Sequence, residues 1–269
     1  MFWLLLSAFG VLAGMTTVLF GFGGGFVAVP LLYSLILAAY PPESAVSQSA
    51  MHIAVATSTA AMIFGAGLAT LRRHRAGQLQ WSLVRPLLGP IAIGAMLGAF
   101  AATWVSGSWI RWIFIAYLGL TILDSILRPG FMNESTVTIR PLGRRSSQVI
   151  GLGIGVIAAF LGVGGSVLSV PMMRRRGAAM SEAAALANPL SLPSAIAGSL
   201  VYTVLAFRGE ALGSGFLGYV DLLALVILVA GSWCGIRLGA TLVGRIPDDI
   251  HAKAYLSLLA LMMAVMVMV

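Results

Sequence analysis

The chain falls into apolar runs too long and too closely spaced for a water-soluble fold: about 2–37, 45–70, 83–105, 109–127, 147–173, 181–207, 218–241 and 250–268. Crossing a bilayer takes roughly 20 apolar residues at about 1.5 Å rise each, and these runs meet or approach that length. Charge is too scarce to wet a surface. A soluble domain carries about 25% charged residues, whereas here they are 9% against 59% hydrophobic, with a mean hydropathy of +1.00. Lipid is therefore the solvent, and backbone polar groups at membrane depth must find partners within the protein. The expectation is an all-α polytopic membrane protein of about eight hydrophobic helical segments. Met1-Phe2-Trp3-Leu4-Leu5-Leu6 has no basic residue before its apolar run and no small-residue cleavage site, so it reads as the first membrane segment rather than a signal peptide.

The two halves look like copies. Gly21-Phe22-Gly23-Gly24-Gly25 followed by Pro30 aligns with Gly162-Val163-Gly164-Gly165-Ser166 followed by Pro171 at an offset of 141. The same offset pairs Gly10 with Gly151, Gly14 with Gly155, Gly77 with Gly218, Gly94 with Gly235 and Gly98 with Gly239, without a gap over almost ninety residues. This predicts two four-segment repeats, 1–127 and 147–269, joined by a cytoplasmic linker at 128–146 that carries arginines, prolines and serines.

Arginine placement constrains how the repeats cross. Eight simple crossings would put nine basic residues on one side and seven on the other, which is almost no bias. If the runs containing the glycine motifs instead double back to the side they entered, only Arg111 and Arg208 of the sixteen basic residues fall on the far side. Each repeat then has an odd number of crossings and the second is inverted relative to the first. Both chain ends face outside. Each repeat starts with a segment that is re-entrant or broken at glycine.

A glycine run inside an apolar segment is where a helix stops. A helix restarting after Gly25 or Ser166 presents first-turn N–H groups without intrahelical partners, backed by the positive end of its dipole. That arrangement holds an anion without a cationic side chain. Ser166 adds a hydroxyl donor, and Pro30 and Pro171 are helix-break residues about a turn further on. Gly94-x-x-x-Gly98 and Gly235-x-x-x-Gly239 read as packing seams instead.

The glycine triplet and proline at each repeat start, Ala54-Val55-Ala56-Thr57-Ser58 in the next helix, Gly77-Gln78-Leu79-Gln80-Trp81 and Gly94-Ala95-Met96-Leu97-Gly98 resemble the sulfite exporter TauE/SafE family over nearly the whole chain. Gly218-Tyr219-Val220-Asp221 fits its second repeat. The resemblance implies a transporter in the bacterial inner membrane for sulfite, organosulfonates or small carboxylates. It points to Gly23, Gly24, Gly25, Gly164, Gly165, Thr57 and Ser58 as substrate-binding residues. Two positions depart from the pattern: Ser166 stands where the first repeat has Gly25, and Asn188-Pro189 stands near where a Thr-Ser pair is expected, which nominates Asn188.

The remaining polar residues offer little chemistry. His52 suits a hydrogen-bonded structural position better than proton carriage. Asp124 and Arg128 are spaced to pair at a helix end, and Glu43, Glu182 and Asp221 sit near segment starts, where acidic residues complement the helix dipole. Cys234, inside an apolar run, reads as a small buried residue. His74 and His251 lack metal-ligand spacing, Ser214 has no histidine partner in view, and no Walker A sequence is present. No enzyme activity, cofactor, metal or nucleic-acid partner is expected. The expected function is a secondary transporter that exports small anions, with a passive channel or an uptake permease of the same fold as the alternative; the expected partners are a small anion, lipid and protons as a coupling ion, and oligomerisation is left open.

Overall fold

The computed structural model describes residues 2–128, 131, 142–206 and 212–269. Most of the linker, with Arg140, and the stretch containing Arg208 lie outside the described residues. The chain runs through α1 (Phe2–Phe20), α2 (Gly25–Ala39), α3 (Ala45–Gln48), α4 (Ala50–Arg75), α5 (Trp81–Ala102) and α6 (Gly107–Leu127). It continues through α7 (Arg144–Leu161), α8 (Ser166–Arg175) and α9 (Met180–Ala206). A two-stranded hairpin, β1 (Phe216–Leu217) and β2 (Val220–Asp221), then leads into α10 (Leu222–Gly239) and α11 (Asp248–Met268).

Among the described helices, seven are long and apolar enough to cross a membrane: α1, α4, α5, α6, α9, α10 and α11. The expectation from sequence was about eight segments. The difference lies in the run over 147–173, which is divided between α7, opening on Arg144-Arg145-Ser146-Ser147-Gln148, and the ten-residue α8. Ten residues reach only about 15 Å. The run over 2–37 is likewise two helices, parted at Gly21–Gly24.

Both broken runs fold back. α1 runs alongside α4, since Gly14 and Gly65 both approach Ser232 while Arg73 reaches the Val18 carbonyl. α2 runs the other way, from Gly25 beside Met62 to Ile36 beside Ala50 and Ile53. α7 and α8 also lie antiparallel: Gly151 of α7 meets Leu87 and Pro90 near the start of α5, which Trp81 ties to the end of α4, and α8 returns to that end through Arg174 and Asp248. α4 and α9 cross the centre in opposite directions: Gly162 touches Val55, Gly198 touches Thr59, and Gly23 and Gly164 lie between Met62 and Ser191. Ion pairs and hydrogen bonds gather the end of α4, the start of α9, the ends of α6 and α8 and the start of α11 at one basic end of the molecule. Arg111 is at the opposite end, donating to the carbonyls of Met266 and Val267.

Two glycine seams fix the frame. α1 lies along α10 and α7 along α5, so closely that a Cβ at Gly14 would stand 2.1 Å from the Ser232 carbonyl oxygen and one at Gly235 2.0 Å from that of Val11. In the other seam, a Cβ at Gly98 would stand 2.1 Å from the Val156 carbonyl and one at Gly155 2.1 Å from that of Ile91. Only the absence of a side chain lets these backbones meet.

Polar side chains close some of the other helix ends. Asp221 caps α10, accepting from the Leu223 and Ala224 amides. Asp124 pairs with Arg128 at 3.1 Å and also with Arg175. His52 Nε2 donates to the Ala102 and Val105 carbonyls at the end of α5 and its ring stacks on Tyr219, which is a structural position. Cys234 corrects the sequence reading, because it is exposed on the outer face of α10. In lipid an apolar run marks the outer face as well as the core.

The seams make a direct prediction. Gly98→Ala lowers the thermal stability of the detergent-purified protein by about 2 kcal/mol through overpacking. Gly89→Ala on the same helix, where an added Cβ meets nothing within 4 Å, leaves the melting temperature unchanged or slightly raised.

Candidate functional site

The two breaks are built alike. α1 stops at Phe20, and Gly21 and Gly23 follow at φ 76° and 66°; α7 stops at Leu161, and Gly162 and Gly164 follow at φ 69° and 70°. These left-handed corners are open to glycine at little cost and disfavour any residue with a Cβ. The third position differs: Gly24 has φ 92°, while Gly165 has φ −69°. α2 and α8 restart behind Gly24 and Gly165, so neither helix has a side-chain cap on its first-turn amides. Those amides have no partner within their own helices.

The breaks meet each other. A Cβ at Gly25 would stand 2.6 Å from the Gly162 carbonyl oxygen, so the first residue of α2 abuts the second break. Gly23 and Gly164 both face Met62 of α4 and Ser191 of α9; a Cβ at Gly164 would lie 2.5 Å from Met62 Sδ and 3.1 Å from Ser191 Oγ. Ser58 Oγ lies beside the second break, donating to the Val55 carbonyl at 3.0 Å and 3.3 Å from the Gly162 carbonyl. Ser166, first residue of α8, is fully buried and its hydroxyl has no partner. Pro30 and Pro171 are buried inside α2 and α8, one to two turns from the breaks.

Two expected residues point elsewhere. The Thr57 hydroxyl accepts from the Asp221 amide at 3.0 Å, tying α4 to the start of α10. Asn188 donates through Nδ2 to the carbonyls of Thr17 at 3.2 Å and Ala184 at 3.4 Å, beside the end of α1; its Oδ1 is buried without a partner.

The family model for the sulfite exporter TauE/SafE matches residues 6–266. The chain belongs to the TauE/SafE family. A Haemophilus influenzae protein named "Probable membrane transporter protein" is 30% identical over 94% of each chain, and a second protein of that name and organism is 23% identical over 83% of this chain and 80% of its own length. The MamO protein of Paramagnetospirillum magneticum, also named as a probable membrane transporter, is 25% identical over 72% of this chain, which spans 35% of its length. No solved structure matches at a significant level. This TauE/SafE chain is thus a multi-pass membrane transporter, and its relatives are named as transporters, not enzymes.

Within this TauE/SafE fold, other residues bind the freed carbonyls of α1. Asn188 takes Thr17, Arg73 Nη2 takes Val18 at 3.2 Å, and His251 Nε2 donates to Leu19 at 2.9 Å. Three helices thereby close the negative end of α1 with donors, two of them on basic residues. Sequence reading passed over Met62 and Ser191, which look like ordinary helix residues, and took Arg73 and Arg174 only as flanking charges. Arg174 is in fact fully buried, paired with Asp248 at 2.8 Å and bonded to the carbonyls of Phe131 and Ala178.

Removing the partner of a buried charge is costly. Asp248→Asn is expected to destabilise the protein by about 3 kcal/mol, read as a fall in melting temperature, whereas Asp249→Asn, whose exposed pair with Lys253 spans 3.6 Å, changes little.

Proposed function

We propose that this chain is a secondary transporter that exports small anions, namely sulfite, organosulfonates or small carboxylates, across the bacterial inner membrane. The observation that carries the reading is the meeting of two uncapped helix starts, α2 and α8, where the glycine corners face Met62 and Ser191. First-turn amides and the free hydroxyl of Ser166 would replace the water around an oxyanion, joined by Ser58 and Ser191 if their hydroxyls turn from the Val55 and Ala187 carbonyls to which they donate. Gly23, Gly24, Gly25, Gly164 and Gly165 let the backbone come that close.

Alternating access is supported by the crossed packing. α1 on α10 and α7 on α5 exchange equivalent helices between the halves, and α4 opposes α9 at the centre. That is the pattern an inverted duplication would make. Basic residues gathered at one end support a cytoplasmic setting for that end, so the first repeat enters from outside and the second from inside. Protons are the coupling ion in this reading.

The test is flux of sulfite and sulfoacetate in proteoliposomes. Ser166→Ala removes one hydrogen bond to an anion, so the KM rises about tenfold with membrane insertion intact. Gly164→Val combines a left-handed φ with a clash at Met62 and abolishes flux. Normal flux in Gly164→Val rejects the site; currents proportional to voltage, without saturation, reject the carrier in favour of a channel.

A further inference from the structure

Arg73 is 5% exposed and stands between the end of α1 and a cavity at the basic end of the molecule. Its Nη2 donates to the Val18 carbonyl at 3.2 Å and its Nη1 to Gln78 Oε1 at 2.7 Å, while its Nε is buried without a partner. The cavity, of about 380 Å³, is lined by Arg73 with Gln78, Gln80, Ser181, Glu182 and Val243 among others. The contrast with Arg174 is informative. That guanidinium meets Asp248 at 2.8 Å, whereas no carboxylate among the described residues pairs with Arg73. A carbonyl and an amide oxygen supply only partial negative charge, and an unpaired buried cation is costly. Glu182 lines the same space but is occupied with the Ala179 amide at 3.3 Å.

We propose that this cavity is a second anion site, a docking position for a sulfonate, sulfite or carboxylate group at the basic mouth of the protein. Arg73 lines the cavity, and its Nε, buried without a partner, would form with a neighbouring Nη the fork that binds an oxyanion in two places once the side chain turns toward that space. The side-chain amides of Gln78 and Gln80 and the Ser181 hydroxyl supply further donors. Glu182 opposes the site by repulsion and limits its affinity. Because Arg73 also holds the Val18 carbonyl, an anion seated here competes with the last turn of α1, just before the first break. Ala185, on the cavity wall, follows Ala184, against which Gly21 packs, so docking and break share a boundary. The proposal takes only the class of ligand from the transport reading.

The experiment reads the cavity locally. Val243→Cys is placed in a Cys234→Ala background, in nanodiscs, and its labelling rates by a sulfonated and a quaternary-ammonium methanethiosulfonate are compared. The sulfonated reagent reacts faster by about tenfold, and sulfoacetate slows it. Arg73→Gln removes both the preference and the protection, and Arg73→Lys keeps part of the preference. Glu182→Gln, which leaves Arg73 and α1 intact and retains an acceptor for Ala179, strengthens both. Equal rates with the two reagents, protection that survives Arg73→Gln, or no response to Glu182→Gln would overturn the docking site. Gly164→Val retains sulfoacetate protection at this position, so failure of the glycine site and failure of the docking site give different results.

Discussion

Breaking a helix at bilayer depth exposes backbone groups of both signs, and the rest of the structure follows from how each sign is handled. At α1 the freed carbonyls are taken by Asn188, Arg73 and His251. At α7 the Ala159 carbonyl receives the Tyr202 hydroxyl at 2.8 Å and Ser58 lies at the Gly162 carbonyl. Those carbonyls have donors. At α2 and α8 the amide ends have glycine at the cap position and no side chain reaching back to them. A site with these carbonyls bonded and its helix-start amides uncapped suits negative charge, and it does so without an arginine at the centre of the membrane.

Such a site must be held by something that does not break. The seams between α1 and α10 and between α5 and α7 do this with small residues, backbone against backbone. At the basic end, Arg174, Asp248, Arg175 and Asp124 link α8 to α11 and α6. The returning arm α8 is thus short and tethered at its far end, and the open end of α2 lies against the second break. On the transport reading, the tight seams move as units while the contacts among Met62, Ser191 and the glycine corners change.

The parts of this that could be read from sequence are those with a local physical cause. A glycine run in an apolar segment stops a helix, so the breaks lie where they were expected, and the bias of arginines called for runs that fold back. The i, i+4 glycines of α5 and α10 announced close packing. Thr57 could not be oriented from sequence, because a hydroxyl beside a motif has no preferred direction there; folding turns it to the Asp221 amide. Met62 and Ser191 were missed because their place beside the glycine corners comes from α4 and α9 crossing at one level. Arg73 and Arg174 look alike in sequence, and only tertiary structure supplies a carboxylate to one and a cavity to the other. Hydropathy could not distinguish the core face of α10 from its lipid face, which is where Cys234 went astray.

The account stands on the open amides of α2 and α8. Its most direct test is a crystal of the protein grown with selenite, a heavier analogue of sulfite, and measured at the selenium absorption edge. The account predicts an anomalous peak between the glycine breaks, within hydrogen-bonding distance of the first-turn amides of α2 or α8 and of Ser166 Oγ. No peak between the breaks at saturating selenite, with α1–α2 or α7–α8 continuous through Gly21–Gly24 or Gly162–Gly165, would contradict it.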